Sequence, residues 1–251
     1  MLSNLFKRAD RSPPALPDGH RIYAIGDIHG RLDLLTALLD HIETDIGSYA
    51  GETTLVFLGD YIDRGPDSAG VVARLIVGPG PGTDWVFLKG NHDDFIVKLL
   101  EADEVSPRGF SAWLDQGGID AMMSWGLSRS LIGSEDREEV IAALREAMPP
   151  AHIDFFTSLD LSYEVGDYMF VHAGVRPHVD LAEQKAADLL WIRDDFLTHR
   201  KPFAKHIVHG HTIATNPEFM PNRTGIDTGA YATGTLTALV LEGTEKRTLS
   251  T

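Results

Sequence analysis

The chain has 251 residues, 43% hydrophobic and 24% charged, enough for one large domain with an ample core. It contains no cysteine, which excludes disulfides, thiolate catalysis and cysteine-ligated zinc or iron–sulfur sites. A net charge of −15 argues against a nucleic-acid-binding surface but leaves phosphate substrates open, because bound cations would dominate the field around them.

The opening stretch MLSNLFKRADRSPPALP carries basic residues but no apolar run of the length a secretory signal needs. Residues 1–19 therefore read as a flexible tail ahead of a domain spanning 20–251. A strand is predicted over 21–25. A helix follows over 32–46, with Leu34, Leu35, Leu38, Leu39, Ile42 and Ile46 at helical spacing. Next come a strand over 53–58, a helix over 68–77, the breaker GPGPG at 78–82 and a strand over 85–88. Two successive strand–helix–strand passages predict an α/β sheet core.

From about 94 to 159 the periodicity turns helical, with helices over 94–102, 108–125, 135–147 and 151–159 and loops at 104–107 and 127–134. This reads as an inserted α-helical lobe. Its Phe110, Trp113, Met122, Met123 and Trp125 fall at core spacing, and SEDREE at 134–139 looks like a capped, solvated helix start. Strands return over 161–165 and 168–171 around the hairpin pair Gly166-Asp167. Further strands are predicted over 206–208, 223–226, 236–241 and 246–249. The longest apolar runs, 53–58 and 236–241, are too short to cross a bilayer, so a soluble cytoplasmic protein with no membrane partner is expected.

Three loops end the first three strands: GDIHGR at 26–31, GDYIDRG at 59–65 and GNHD at 90–93. Asp27, Asp60 and Asn91 lie 33 and then 31 residues apart, about one strand–helix–strand unit each. In extended backbone, Asp27 and His29 point the same way and can reach one ion. Asp60 has two carboxylate oxygens to bridge ions, and Asn91 offers a neutral amide oxygen. Downstream, His172 follows a strand in VHAG and His211 follows one in VHGHT. Six ligands of mixed nitrogen and oxygen type suit two divalent ions such as manganese, iron, zinc or cobalt. Taken singly, an aspartate after a strand is ordinarily a turn former or helix cap. A single histidine is ordinarily surface or packing, as expected for His20, His41, His152, His178 and His199. Six together at strand ends, inside glycine-bracketed motifs, point to metal.

GDIHGR, GDYIDRG, GNHD, HAG and GHT resemble the metallophosphoesterases of the phosphoprotein phosphatase type, nearest to the bacterial and phage serine/threonine phosphatases. The resemblance runs from about Arg21 to Leu241. It implies a calcineurin-like β-sandwich flanked by helices, with the helical insertion set into it. It places one ion on Asp27, His29 and His211 and the other on Asn91 and His172, with Asp60 shared. Manganese is the expected metal, and iron, zinc or cobalt are the alternatives.

The implied reaction is in-line attack on phosphorus by a metal-bridging hydroxide. His92 would protonate the leaving alkoxide, Asp63 would fix its tautomer, and Arg64 would clamp the phosphate. Arg193, in LLWIRDDF, is the choice for a second clamp. His209 reads as supporting or structural, with a ligand role as the alternative; Asp227 reads as structural, and Tyr231 is unassigned. Asp93 stands where eukaryotic protein phosphatases carry Glu, as in the symmetric dinucleoside tetraphosphatases, but those lack the full DYIDRG. The expected substrate is therefore a phosphorylated protein or peptide, with a nucleotide of the dinucleoside polyphosphate type as the alternative. Substrate choice is assigned to the insertion and residues 212–223.

Overall fold

The structure, a computed structural model, describes residues 12–80, 82–101 and 106–251. The first half runs β1 (His20–Ile25), α1 (Leu32–Ile46), β2 (Glu52–Phe57), α2 (Ser68–Val77), β3 (Thr83–Phe87) and α3 (Asn91–Glu101). The insertion adds α4 (Pro107–Trp113), a kinked turn (Leu114–Gly118), α5 (Ile119–Ser124), α6 (Arg129–Ile132), α7 (Arg137–Ala147) and α8 (Pro150–Thr157). The second half holds β4 (Ser162–Val165), β5 (Tyr168–Val171), α9 (Ala186–Trp191), α10 (Asp194–Leu197), β6 (His206–His209), β7 (Glu218–Phe219), β8 (Arg223–Gly225), α11 (Ala230–Thr233), β9 (Thr237–Glu242) and β10 (Glu245–Ser250).

The strands form two mixed five-stranded sheets, ordered β10-β9-β1-β2-β3 and β4-β5-β6-β8-β7. β1, β2 and β3 are parallel, as are β5, β6 and β8. Helices α1 and α2 supply the crossovers that parallel neighbours require.

Period-two alternation in the strands assigns the layers. Ile22, Ala24, Val56, Leu58, Leu239 and Leu241 pack with Tyr168, Phe170 and Val208 of the second sheet. The alternate residues Tyr23, Ile25, Leu55 and Phe57 pack outward with Leu35, Leu38, Val71 and Val72 of α1 and α2. On the far side, Met169, Val171 and Ile207 meet Leu189 and Phe196 of α9 and α10. The result is a β-sandwich flanked by helices on both faces. Each fully buried Leu or Phe here stabilises the fold by about 1.5–3 kcal/mol relative to exposure.

Several expectations need correction. The helix predicted over 108–125 is broken, because Gly117 adopts φ 105° and divides it into α4, a kinked turn and α5. The loop expected over 127–134 contains α6, whose first turn is capped by Ser128 Oγ accepting the Leu131 N–H. Helix α3 begins at Asn91 rather than 94, so Asn91, His92 and Asp93 form its first turn. The end of the predicted 94–102 helix and part of the 104–107 loop lie outside the described residues, as do residues 1–11 of the expected tail. From Pro14 the chain is held: the Leu16 N–H donates to the Gly243 carbonyl (2.9 Å), and Ala15 exchanges hydrogen bonds with Asp167. Leu16 is buried between the sheets, so residues 14–16 are anchored rather than part of the flexible tail expected over 1–19. Among the described residues no helix is long and apolar enough to cross a membrane.

Candidate active site

The three glycine-bracketed loops follow β1, β2 and β3, while His172 follows β5 and His211 lies two residues beyond β6. All five positions lie beyond the carboxyl ends of parallel strands, where open α/β sheets place their ligands. The second sheet thus brings two histidines from the distant half of the chain against the three loops of the first.

The backbone there is strained. Among the described residues, six that are not glycine have positive φ, and five of them are His29, Asp60, Asp63, Arg64 and His211. Such conformations cost about 1–3 kcal/mol each and persist only where surrounding structure enforces them. Close packing of the loops does so here: a Cβ on Gly65 would stand 2.0 Å from the His29 carbonyl oxygen.

The nitrogen and oxygen donors converge. Ligand atoms of His29, Asp60 and His92 all lie within 4.8 Å of one another, as do those of Asp60, His172 and His211. Asp60 Oδ2 is 3.5 Å from both His29 Nε2 and His172 Nε2. His172 Nε2 is also 3.0 Å from Asn91 Oδ1 and 3.2 Å from His211 Nδ1. Asp27 sits beside His211, whose backbone N–H donates to its carboxylate at 3.1 Å.

The chemistry of this donor set fits a divalent metal pair. His29 Nδ1 donates to the Ile62 carbonyl (2.7 Å) and His172 Nδ1 to the Leu58 carbonyl (2.9 Å). Each ring therefore turns an unprotonated Nε2 toward Asp60, the arrangement seen around ligating histidines. Burial keeps both imidazoles neutral, pushing His29 down to about 3 and His172 below its ordinary value. Burial, with Asp227 and Asp60 nearby, pushes the Asp27 carboxyl well above the usual range, a repulsion that cations would relieve. Burial would also raise Asp60, but the surrounding imidazoles of His172, His92 and His29 hold it below the usual range.

Beside this cluster, His92 Nδ1 donates to Asp63 Oδ2 at 2.5 Å, with both side chains buried. Burial opposes protonation of His92, yet Asp60 and Asp63 together raise its pKa. Arg64 reaches inward, placing Nη1 2.9 Å from His29 Nε2 and Nη2 3.1 Å from His92 Nε2. These groups open into a cleft of about 810 Å3 that also holds Asn91, Phe95, Trp113, Gln116, Trp191, Arg193, His211 and Tyr231 along its walls. Arg193 donates to Thr212 Oγ1 (3.2 Å), so it pairs with a cleft residue rather than with Asp194 or Asp195.

All ten residues singled out in the sequence thus gather at one edge, with Arg193 on the cleft wall. His209 is turned away: its Nε2 faces Arg223 Nη1 (3.1 Å) and its ring meets Phe196 edge-on. Of the other histidines, His152 is packed and accepts the Trp125 indole N–H (3.1 Å). His20 pairs with Glu52 at the surface.

Sequence reasoning missed four contributors. Asp93 accepts the backbone N–H groups of Asp60 (2.7 Å), Gly90 (2.8 Å) and Tyr61 (3.1 Å); its place inside GNHD was the available signal. Trp113 and Gln116 come from the insertion and touch Asp63 and Arg64; Trp113 had core spacing as its one signal and Gln116 had none. The Tyr231 ring lies 4.8 Å from the Arg64 guanidinium and edge-on to His29.

Comparison with known proteins agrees with this geometry. The family model for calcineurin-like phosphoesterases matches residues 20–230. The chain is 27% identical to the asymmetrical bis(5'-nucleosyl)-tetraphosphatase PrpE of Anoxybacillus flavithermus, covering 86% of this chain and 88% of the relative. It is 28% identical to serine/threonine-protein phosphatase 1 of Salmonella typhimurium, covering 86% and 89%. Among solved structures, a candidate diadenosine tetraphosphatase superposes with a TM-score of 0.62 at 21% identity, covering 95% of this chain and 98% of that one. That last likeness is one of fold.

Proposed function

The chain belongs to the calcineurin-like phosphoesterase family and is a metal-dependent phosphoric ester hydrolase, and on that premise we propose that it removes phosphate from serine or threonine in phosphorylated proteins. Asp27, His29 and His211 would hold one ion, Asn91 and His172 the other, and Asp60 both, with manganese the favoured metal. When bound, the ions supply a hydroxide nucleophile at neutral pH and neutralise charge on the phosphoryl oxygens.

The protein's own groups do the rest. Arg64 extends its planar fork between His29 and His92, where two phosphate oxygens would be gripped. Arg193 lines the same cleft as Arg64. With His92 Nδ1 committed to Asp63, the proton on Nε2 is the one available to the departing oxygen.

The buried His92–Asp63 pair carries the reading. An alkoxide is a poor leaving group and needs a proton as the P–O bond breaks, whereas a nucleoside phosphate leaves with less help. The test is His92→Asn assayed on a phosphoserine peptide and on a dinucleoside tetraphosphate with manganese added. A loss of about 100-fold or more on the peptide, with a much smaller loss on the nucleotide, is expected. Equally small losses on both would remove the proton-donor role.

A second reading, hydrolysis of dinucleoside polyphosphates, is favoured by one feature. The cleft, of about 810 Å3, has Phe95, Trp191 and Tyr231 along its walls, flat surfaces suited to nucleobases. A kcat/KM on the tetraphosphate far above that on any phosphopeptide would select this reading.

A further inference from the structure

The helical insertion packs as a lobe, yet it also reaches the proton-donating pair. Trp113, the last residue of α4, is buried and donates its indole Nε1–H to Asp63 Oδ2 at 2.9 Å. That same oxygen accepts His92 Nδ1–H, so one carboxylate oxygen serves two donors 50 and 29 residues away in sequence. Asp63 is fully buried, and its other oxygen, Oδ1, has no hydrogen-bond partner. Trp113 and His92 therefore supply the side-chain donors that orient this carboxylate.

The indole is itself held firmly. Phe95 stacks on it at 5.4 Å with 26° between the rings, and Phe110 flanks it at 6.1 Å. The next turn, Leu114–Gly118, is kinked at Gly117, whose φ of 105° is not helical. It closes on the loop carrying Asp63 and Arg64: the Gly117 carbonyl accepts the Arg64 backbone N–H (3.3 Å), and Gln116 Oε1 accepts from Arg64 Nη2 (3.2 Å). Glycine is needed here at two successive positions. A Cβ on Gly117 would stand 2.3 Å from the Arg64 nitrogen, and one on Gly118 would stand 2.5 Å from the Trp113 ring.

We infer that Trp113 is a positioning residue for proton donation: its indole N–H locks the Asp63 carboxylate against His92, making the insertion a working part of the active site. The step it serves is the cleavage of the phosphorus–oxygen ester bond. A hydroxide derived from water forms the new bond to phosphorus as the electron pair of the old one goes to the leaving oxygen with the proton from His92 Nε2, and His92 regains from solvent the proton that water released. Removing the indole N–H leaves His92 as the one side-chain donor to Asp63 Oδ2, so the pair loses a constraint on its alignment while the metal donors are untouched. The inference rests on the proton-donor role given to His92 above.

The test compares Trp113→Phe, Asp63→Asn and the double variant on two esters, each with manganese added. A phosphoserine peptide releases an alkoxide and needs the proton; 4-nitrophenyl phosphate releases a stabilised phenolate and needs it little. Trp113→Phe is expected to lower kcat on the peptide about tenfold, with KM and the aryl ester rate each within about threefold. In the Asp63→Asn background the same change should cost nothing further, because residues acting through one another are not additive. Equal losses on both esters, or a full additional loss in the double variant, would overturn the inference.

Should the phenylalanine variant fail to fold, benzothienylalanine at position 113 keeps the ring volume and removes only the N–H. His92→Asn separates the layers of argument. If it too fails to distinguish the esters, the proton-donor role has failed. If it distinguishes them and the Trp113 variants do not, only the positioning role has failed.

Discussion

Asp93 Oδ2 accepts the backbone N–H of Asp60 at 2.7 Å, so a carboxylate from the third loop fixes the residue at the centre of the donor cluster. Its two oxygens also take the N–H groups of Gly90 and Tyr61. Asp93→Ala strands three buried donors and should destabilise the protein by about 2–4 kcal/mol. Asp93→Asn, which keeps one acceptor, should cost less. Urea unfolding of both variants measures this. A change within about 0.5 kcal/mol for the alanine variant would mean the N–H groups find other partners.

Asp60 faces donors of both proposed ions, so Asp60→Asn should abolish turnover and lower bound manganese measured after gel filtration. Metal binding to the folded state also stabilises it, by about 2.7 kcal/mol at a free concentration 100 times Kd. Chelation should therefore lower Tm in the native protein and do far less in Asp60→Asn. Full activity in that variant would defeat the two-metal arrangement.

Gly210 separates β6 from His211 and touches the first loop closely. A Cβ there would lie 2.1 Å from Asp27 Oδ1, and the neighbouring His211 N–H already donates to that carboxylate. Gly210→Ala should push Asp27 and His211 apart, lowering manganese stoichiometry and kcat together. Retention of two equivalents of metal would show that this junction can yield.

His206 lies at the start of β6, away from the metal donors. It is buried beside Thr224 (2.9 Å) and Lys246 (3.2 Å). Burial first, and then the Lys246 charge, push its pKa down to about 4. The unfolded chain binds a proton at this residue near pH 6.5, which the folded chain refuses until about 4. Its contribution is complete above pH 6.5, declines as pH falls through that window and levels off below it. His206→Asn should remove a loss on the order of 2 kcal/mol between pH 7 and 4.5, read as a shallower decline in urea midpoint than in the native protein. Parallel declines in the two proteins would assign the acid sensitivity elsewhere.

The sequence announced the parts of the site that need unusual backbone. Asp27, His29, Asp60, Asp63 and Arg64 sit in short loops where glycines permit close crossing, and that local requirement leaves a mark in the residues themselves. Alternating strands around the loops were equally readable, because burial between two layers imposes period two. Trp113 left no such mark. Its hydrogen bond joins the insertion to the loop holding Asp63, beside a turn where Gly117 interrupts the helical period. Core spacing was a correct reading of its burial and silent about its N–H. Asp93 was noticed as a departure in a motif, but three backbone donors from loops far apart in sequence cannot be inferred from its position. The segment from Pro14 to Leu16 carried no periodicity, and its anchoring depends on Asp167 and Gly243.

Arg193 remains the most discriminating residue to alter, because its assignment rested on resemblance and its position now has geometry. It lines the cleft with Arg64, and its guanidinium donates to Thr212 Oγ1. It forms no hydrogen bond to the metal donors, so its removal should leave metal content unchanged. A clamp that grips ground state and transition state alike raises KM when lost; one that tightens only as charge builds on phosphorus lowers kcat. Arg193→Ala is expected to raise KM for a phosphopeptide about tenfold, with a smaller fall in kcat, because a bidentate cation–phosphate contact is lost. Arg193→Lys should recover part of the affinity, since a point charge replaces the fork without its geometry. Inorganic phosphate should inhibit the alanine variant correspondingly less. Unchanged KM and unchanged phosphate inhibition in both variants would confine Arg193 to holding Thr212 and the chain around it.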